Sequence, residues 1–274
     1  MGEQKINRIY AVYYSAVGST QKAVVTLASH LSELFKVSVE TIDFTKPAAR
    51  ERHYTFEPAD VVVFGSPTYA GKLPNKMLPF INSGFTGNGA AAAALVTFGN
   101  RSFDNSLAEL NSCLTANGFR VIAGAAIVAQ HAFSQVLAAG RPDAADLDQL
   151  IGFGNRIYEK LIQDDISTVS VPGNADAPYY RPLGLDGQPK VFLKAKPVVD
   201  EELCDRCGLC VSLCPMGSID PADPLRTPGL CIKCYACVRR CPKGARSFTD
   251  EAFLSHKAML ERDYTERKEP SFYL

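Results

Sequence analysis

No tryptophan occurs anywhere in the 274 residues, so a ring that stacks on a flat ligand has to be tyrosine or phenylalanine. Neither charge sign is in excess. The 29 lysine and arginine residues balance 29 aspartate and glutamate residues, which gives no basis for binding nucleic acid or an anionic membrane surface. Long apolar runs are also missing. The longest, residues 90–96, is short and alanine-rich, far below the roughly 20 residues a bilayer span needs. The opening MGEQKINRIY has no apolar signal region, and Ile6 stands where a myristoylation signal would have Ser or Thr. The expectation is a cytoplasmic chain with no nucleic-acid or membrane partner. What is present is a globular composition, 46% hydrophobic and 21% charged, over a length suited to two domains.

Residues 1–165 alternate strand-like and helical stretches. Short apolar runs at 9–14, 37–42, 61–64, 91–98 and 121–128 read as strands. Helical periods lie between and after them, at 20–35, 75–82, 104–117 and 144–163. That alternation predicts an α/β fold, a doubly wound five-stranded parallel sheet of order 2-1-3-4-5. Residues 166–197 hold turn signals and no apolar period, and read as a linker anchored by Val171, Tyr179, Tyr180, Leu183 and Phe192. A cysteine-rich module follows at 198–249, then a helical tail at 250–274.

Eight of the nine cysteines fall in two runs. The first is Cys204, Cys207, Cys210 and Cys214 followed by Pro215; the second, 27 residues on, is Cys231, Cys234, Cys237 and Cys241 followed by Pro242. Three thiolates at i, i+3 and i+6 wrap three irons of a cubane, and the fourth, in a proline-terminated turn, serves the other cluster. Cluster one should therefore take Cys204, Cys207, Cys210 and Cys241, and cluster two Cys231, Cys234, Cys237 and Cys214. Zinc has little use for a third cysteine at i+6 with CP twice over, and disulfides lack an oxidising compartment. Residues 198–249 resemble a bacterial-type two-cluster ferredoxin, an α+β module with two [4Fe–4S] clusters. Ser218 departs from that pattern where Ala245 supplies the usual alanine in the second repeat.

Three loops at predicted strand ends carry the N-terminal chemistry. The first, Ser15, Ala16, Val17, Gly18, Ser19 and Thr20, is a hydroxyl-rich turn opening a helix. It presents donors to a monophosphate, although the same pattern serves as an ordinary helix N-cap. The second is Gly65, Ser66, Pro67, Thr68, Tyr69, Ala70 and Gly71; the third follows Phe98 with Gly99, Asn100, Arg101, Ser102 and Phe103. Doubly wound sheets bind ligands at this edge. Together the loops resemble those of flavodoxins and FMN-dependent quinone reductases. The resemblance implies that Ser15, Ala16, Gly18, Ser19 and Thr20 hold the phosphate of FMN. It also implies that Ser66, Pro67, Thr68, Tyr69, Ala70 and Gly71 line the flavin ring, with Phe98, Gly99, Asn100 and Phe103 on its other margin. Val17 departs from the family pattern and removes one side-chain donor.

The whole chain resembles a family of flavodoxin–ferredoxin fusion proteins common in anaerobes. That resemblance implies an electron carrier with redox protein partners and leaves its oligomeric state open. The competing expectation is an FMN-dependent oxidoreductase that reduces a small substrate with electrons supplied through the clusters. Lys233, Arg239, Arg240, Lys243 and Arg246 read by default as a solvated face, or alternatively as a basic surface beside cluster two that steers an acidic partner. Cys113 reads as a buried apolar thiol, and His131, near the sheet edge, as a hydrogen-bonded loop residue.

Overall fold

A computed structural model describes residues 6–274. Strand β1 (Arg8–Tyr13) leads into α1 (Ser19–Phe35), whose buried Thr20, Ala23, Val24, Leu27, Ala28 and Leu31 repeat at helical spacing. Next come β2 (Val39–Asp43), β3 (Asp60–Pro67), α2 (Leu78–Ser83), β4 (Ala91–Phe98), α3 (Ser106–Ala116), β5 (Arg120–Val128) and α4 (Ala144–Ile162). Strand β4 is buried along its whole length and β3 and β5 nearly so, as expected of parallel strands covered on both faces. One face packs on α1 and α4, through Leu27, Leu31, Phe153 and Ile157. The other buries Phe44, Phe64, Leu107 and Leu110. Helix α4 begins at a reciprocal capping box between Asp143 and Asp146.

The parallel order is 2-1-3-4-5, and the structure adds a sixth strand to it. Residues 250–274 do not stay helical to their end. After α5 (Leu209–Leu213), α6 (Ala236–Arg239) and α7 (Glu251–Asp263), the chain returns as β6 (Ser271–Tyr273). This strand pairs antiparallel with β5, Ser271 opposite Ala126 and Tyr273 opposite Gly124. The approach is fixed by Arg267 on Asp143 at 2.8 Å and by Arg141, which reaches the Lys268 carbonyl.

The linker runs over the sheet domain's surface, held at Val171, Tyr179 and Tyr180, while Leu183 and Phe192 pack towards α7. Val171 occupies the space that a Cβ on Gly124 would need, 2.7 Å away. Lys72 Nζ, in a buried 3.0 Å ion pair with Glu109, donates to the carbonyls of Ala175 and Ala177 at 2.6 and 2.9 Å. Tyr179 Oη donates to the Leu73 carbonyl at 2.8 Å, and Tyr180 N–H to that of Ala70 at 2.8 Å. In the cysteine module, residues 198–199 and 246–247 form a two-residue antiparallel ribbon, which brings the module's two ends together. Among the described residues no helix is long and apolar enough to cross a membrane.

Candidate functional site

A cavity of about 230 Å³ lies at the carboxyl ends of β1, β3, β4 and β5. The first loop contributes Ser15, Ala16, Val17, Ser19 and Thr20; the second contributes Pro67, Thr68, Tyr69, Ala70 and Gly71; the third contributes Phe98 and Gly99. Four expected residues stand outside this lining. Gly18, at φ 96°, sets the entry to α1, a conformation that favours glycine. Ser66 is fully buried in β3. Phe103 packs on Phe98 at 5.5 Å between ring centroids. Asn100 turns away, donating Nδ2 to the carbonyls of Tyr264 and Glu266 at 2.6 and 2.8 Å.

The N-terminus of α1 has no side-chain cap on Gly18 and no acidic residue in its first turn. Ser15 Oγ accepts from Gln21 N–H at 3.0 Å, and the Ser15 N–H donates to Thr45 Oγ1 at 2.8 Å. With only the Gln21 N–H taken up by a side chain of the first loop, this helix end and its dipole suit a phosphate. Thr20 contributes less than its sequence position implies, because Thr20 Oγ1 and Thr97 Oγ1 share a 2.7 Å hydrogen bond. Thr68 Oγ1 is likewise engaged, with Ser106 Oγ at 2.6 Å. Ser15, Ser19, Arg101 and Ser102 remain as polar side chains on the rim beside the loop backbone, and Tyr69 and Phe98 give apolar and aromatic cover. This donor set fits FMN.

Much of the remaining wall comes from elements that sequence reasoning did not assign to the site. The loop after β5 supplies Ala129, Gln130, His131 and Phe133. The rule that put the first three loops here applies to it equally. The linker supplies Tyr180, Pro182 and Phe192, and α7 supplies His256 and Leu260. Ile232 and Lys233, inside the second cysteine run, complete the lining. No local signal marks these residues, since they arrive by tertiary packing.

His131 lies over Gly99, where an added Cβ would meet its ring at 2.3 Å. Its Nδ1 accepts from the Phe133 N–H at 3.2 Å, which assigns the neutral ring's proton to Nε2. Burial, then His256 and Arg101, push its pKa down to about 3 against the partial opposition of Glu261. Burial lowers His256 as well. The unfolded ring, at about 6.5, binds protons that the folded one refuses. Stability from the neutral ring is complete above pH 6.5 and drains away as pH falls towards 3. The melting temperature of the holoprotein should fall between pH 7 and pH 5, and should fall less in His131→Gln. Equal slopes in the two proteins would remove His131 from that effect.

The eight cysteines line two smaller cavities of about 20 Å³ each. Cys204, Cys207, Cys210 and Cys241 border the first, Cys214, Cys231 and Cys234 the second, and Cys237 touches both. Among the described residues no three His, Cys, Asp or Glu side chains converge on a single ion; a cubane asks for a wider enclosure, four sulfurs around four irons. Burial pushes the Cys234 thiol up and that of Cys237 to about 11, so these sulfurs become thiolates through metal binding itself. Backbone N–H groups of Ser218 and Lys233 donate to Cys214 Sγ and Cys231 Sγ at 3.3 and 3.4 Å.

The duplication recurs in the backbone. Arg206 and Lys233 have φ 55° and 57°, and Gly208 and Tyr235 have 74° and 67°. A tyrosine at that left-handed position costs about 1 kcal/mol or more. Its ring stacks on Phe248 at 5.3 Å and meets Phe133 at 5.6 Å, contacts a glycine would lack. None of the five basic residues of this stretch lines the second cavity. Lys233 Nζ donates to the Leu193 carbonyl at 2.7 Å, and Arg246 is buried on the Pro224 carbonyl. Arg240 and Lys243 border the first cavity instead.

The flavodoxin domain family matches residues 10–126, and the 4Fe-4S binding domain family matches 197–220 and 226–247. Among solved structures, a flavodoxin from the domain Archaea is 18% identical, covering 56% of this chain and 98% of its own, with a TM-score of 0.38. Oxidised Flavodoxin 2 from Bacillus cereus is 16% identical, covering 56% and 99%, with a TM-score of 0.41. Rubredoxin oxygen:oxidoreductase from the anaerobe Desulfovibrio gigas is 18% identical, covering 61% of this chain and 38% of its own, with a TM-score of 0.35. No curated protein matches. With one domain of each kind in this order, the chain is a flavodoxin–ferredoxin fusion, an electron-transfer protein whose cofactors are FMN and two [4Fe–4S] clusters.

Proposed function

We propose that the chain is an internal electron relay, with the flavin site at one end, cluster two in the middle and cluster one as the exit to a protein partner. The observation that carries this reading is the shared wall. Ile232 and Lys233 line the flavin cavity, and they lie between Cys231 and Cys234, which line the second cysteine cavity. Cys237 borders that cavity and the first. At the far end Cys207, Arg206, Arg240 and Lys243 are exposed to solvent. When bound, FMN exchanges electrons in pairs or singly and each cluster one at a time, so the combination joins two-electron to one-electron chemistry. The protein's part is to hold the sites adjacent, which replaces diffusion by intramolecular transfer.

Reduction of a small substrate at the flavin is the weaker reading. Tyr180, Pro182, Phe192 and Leu260 occupy wall that an open approach to the ring would use. The test is anaerobic holoprotein, counted for iron, sulfide and FMN, then mixed with a one-electron reductant under stopped flow. Flavin bleaching should trail cluster bleaching at a rate independent of protein concentration. A rate proportional to protein concentration would mean transfer between molecules and end the relay.

A further inference from the structure

The loop after β5 is tied down around His131. Gln130 N–H donates to the Arg141 carbonyl at 2.9 Å, and His131 N–H to that of Leu137 at 3.1 Å. The His131 carbonyl accepts from Ser134 N–H at 3.0 Å, and its Nδ1 accepts from Phe133 N–H at 3.2 Å. One group is left over. With Nδ1 an acceptor, the neutral ring carries its proton on Nε2, and among the described residues no acceptor meets that N–H. Folded proteins rarely withhold a partner from such a group unless water or a ligand supplies one.

The surroundings point to a ligand. That nitrogen is not one of the buried side-chain atoms shut off from every opening, and the opening the ring borders is the flavin cavity. The imidazole lies on Gly99, where a Cβ would stand 2.3 Å from its Cδ2. Gly99 belongs to the loop expected at the flavin margin, so the ring reaches the site across a residue with no side chain in the way. Phe133 meets the imidazole edge-on at 4.9 Å and steadies its plane. Several other polar side chains of the wall are already committed. Thr20 pairs with Thr97, Thr68 with Ser106, and Lys233 Nζ with the carbonyls of Leu193 and Cys231. Burial, then His256 and Arg101, keep the His131 ring uncharged, so what it offers is one N–H and no charge.

We propose that His131 Nε2–H donates a hydrogen bond to the pyrimidine edge of FMN, making His131 a flavin-binding residue that favours the reduced cofactor. The benzenoid end of the ring system has no acceptor. The pyrimidine edge carries two carbonyl oxygens and N1, which gain negative charge on reduction, and a donor aimed where charge develops binds that state more tightly. The flavin midpoint reports the ratio of the two dissociation constants, so the donor raises it. The inference rests on FMN occupying this cavity, and not on transfer through the clusters.

The experiment compares wild-type, His131→Leu and His131→Gln holoprotein by anaerobic spectroelectrochemical titration, with the dissociation constant of oxidised FMN read from flavin fluorescence. His131→Leu should lose about tenfold more affinity for reduced than for oxidised FMN, as expected for one hydrogen bond, and its flavin midpoint should move negative. His131→Gln keeps an N–H donor and should recover most of that shift. Both cluster midpoints and the iron count should stay as they are. An unmoved flavin midpoint in His131→Leu would overturn the proposal, and so would equal shifts in the two variants, which would mark lost packing. Should His131→Leu fail to hold FMN, wild-type protein with isotopically labelled histidine decides by nuclear magnetic resonance. The His131 Nε2 proton should exchange with water slowly when FMN is bound and rapidly once it is stripped; equal exchange in the two forms would end the idea. The relay fails separately, on the concentration dependence of flavin bleaching.

Discussion

Cys241→Ala should lower the iron content from about eight to about four per chain, and its remaining cluster should match the one left in Cys204→Ala. The pairing across the repeats is the point of the experiment. Cys241 belongs to the second run but borders the cavity of Cys204, Cys207 and Cys210. Cys214 belongs to the first run but borders that of Cys231 and Cys234. Four variants should therefore give two spectra: Cys241→Ala with Cys204→Ala, and Cys214→Ala with Cys231→Ala. The second pair, which removes the cluster beside the flavin, should also lose reduction of FMN by a one-electron donor. If Cys241→Ala instead matched Cys231→Ala, each repeat would hold its own cluster and the crossing would be wrong.

The second large effect lies at the junction of the modules. Phe253 on α7 is fully buried. It meets Phe133 from the loop after β5 at 4.7 Å, Phe192 from the linker at 5.5 Å and Phe248 from the ferredoxin module at 4.5 Å. Three segments, two of them distant in sequence, converge on one ring. Phe253→Ala should cost about 3–5 kcal/mol, as a large buried aromatic does when nothing can collapse into its place. Phe133 and Phe192 also line the flavin cavity, so FMN should bind more weakly and the linker should be cut faster by protease. An unchanged melting temperature with unchanged proteolysis at 166–197 would show that the stack does not join the modules.

The parts of this design legible in the sequence are those built from neighbours. The run 91–98 reads as a buried strand in an alternating α/β pattern, and the cysteine spacing carries its chemistry within a few residues. The linker's anchors could also be picked out, because isolated aromatics in a proline-rich stretch need somewhere to go. Their destination was not legible: Tyr180 and Phe192 end in the wall of the flavin cavity, which depends on how three segments meet. Asn100 shows the limit from the other side. Its loop is at the expected edge, yet the backbone at Tyr264 and Glu266 takes its amide. Nothing within a few residues of Asn100 announces that competitor. The strand Ser271–Tyr273 is too short for a period of two to stand out.

That last strand changes how the two modules should be thought of. Since Ser271–Tyr273 seals the β5 edge, the ferredoxin module is nested inside the flavodoxin fold and does not dangle behind it. On the ribosome the sheet waits for its border until both cysteine runs have emerged. Recombining modules by cutting at 166–197 would leave a raw strand edge, an invitation to aggregation, on what looks from its sequence like a self-sufficient half.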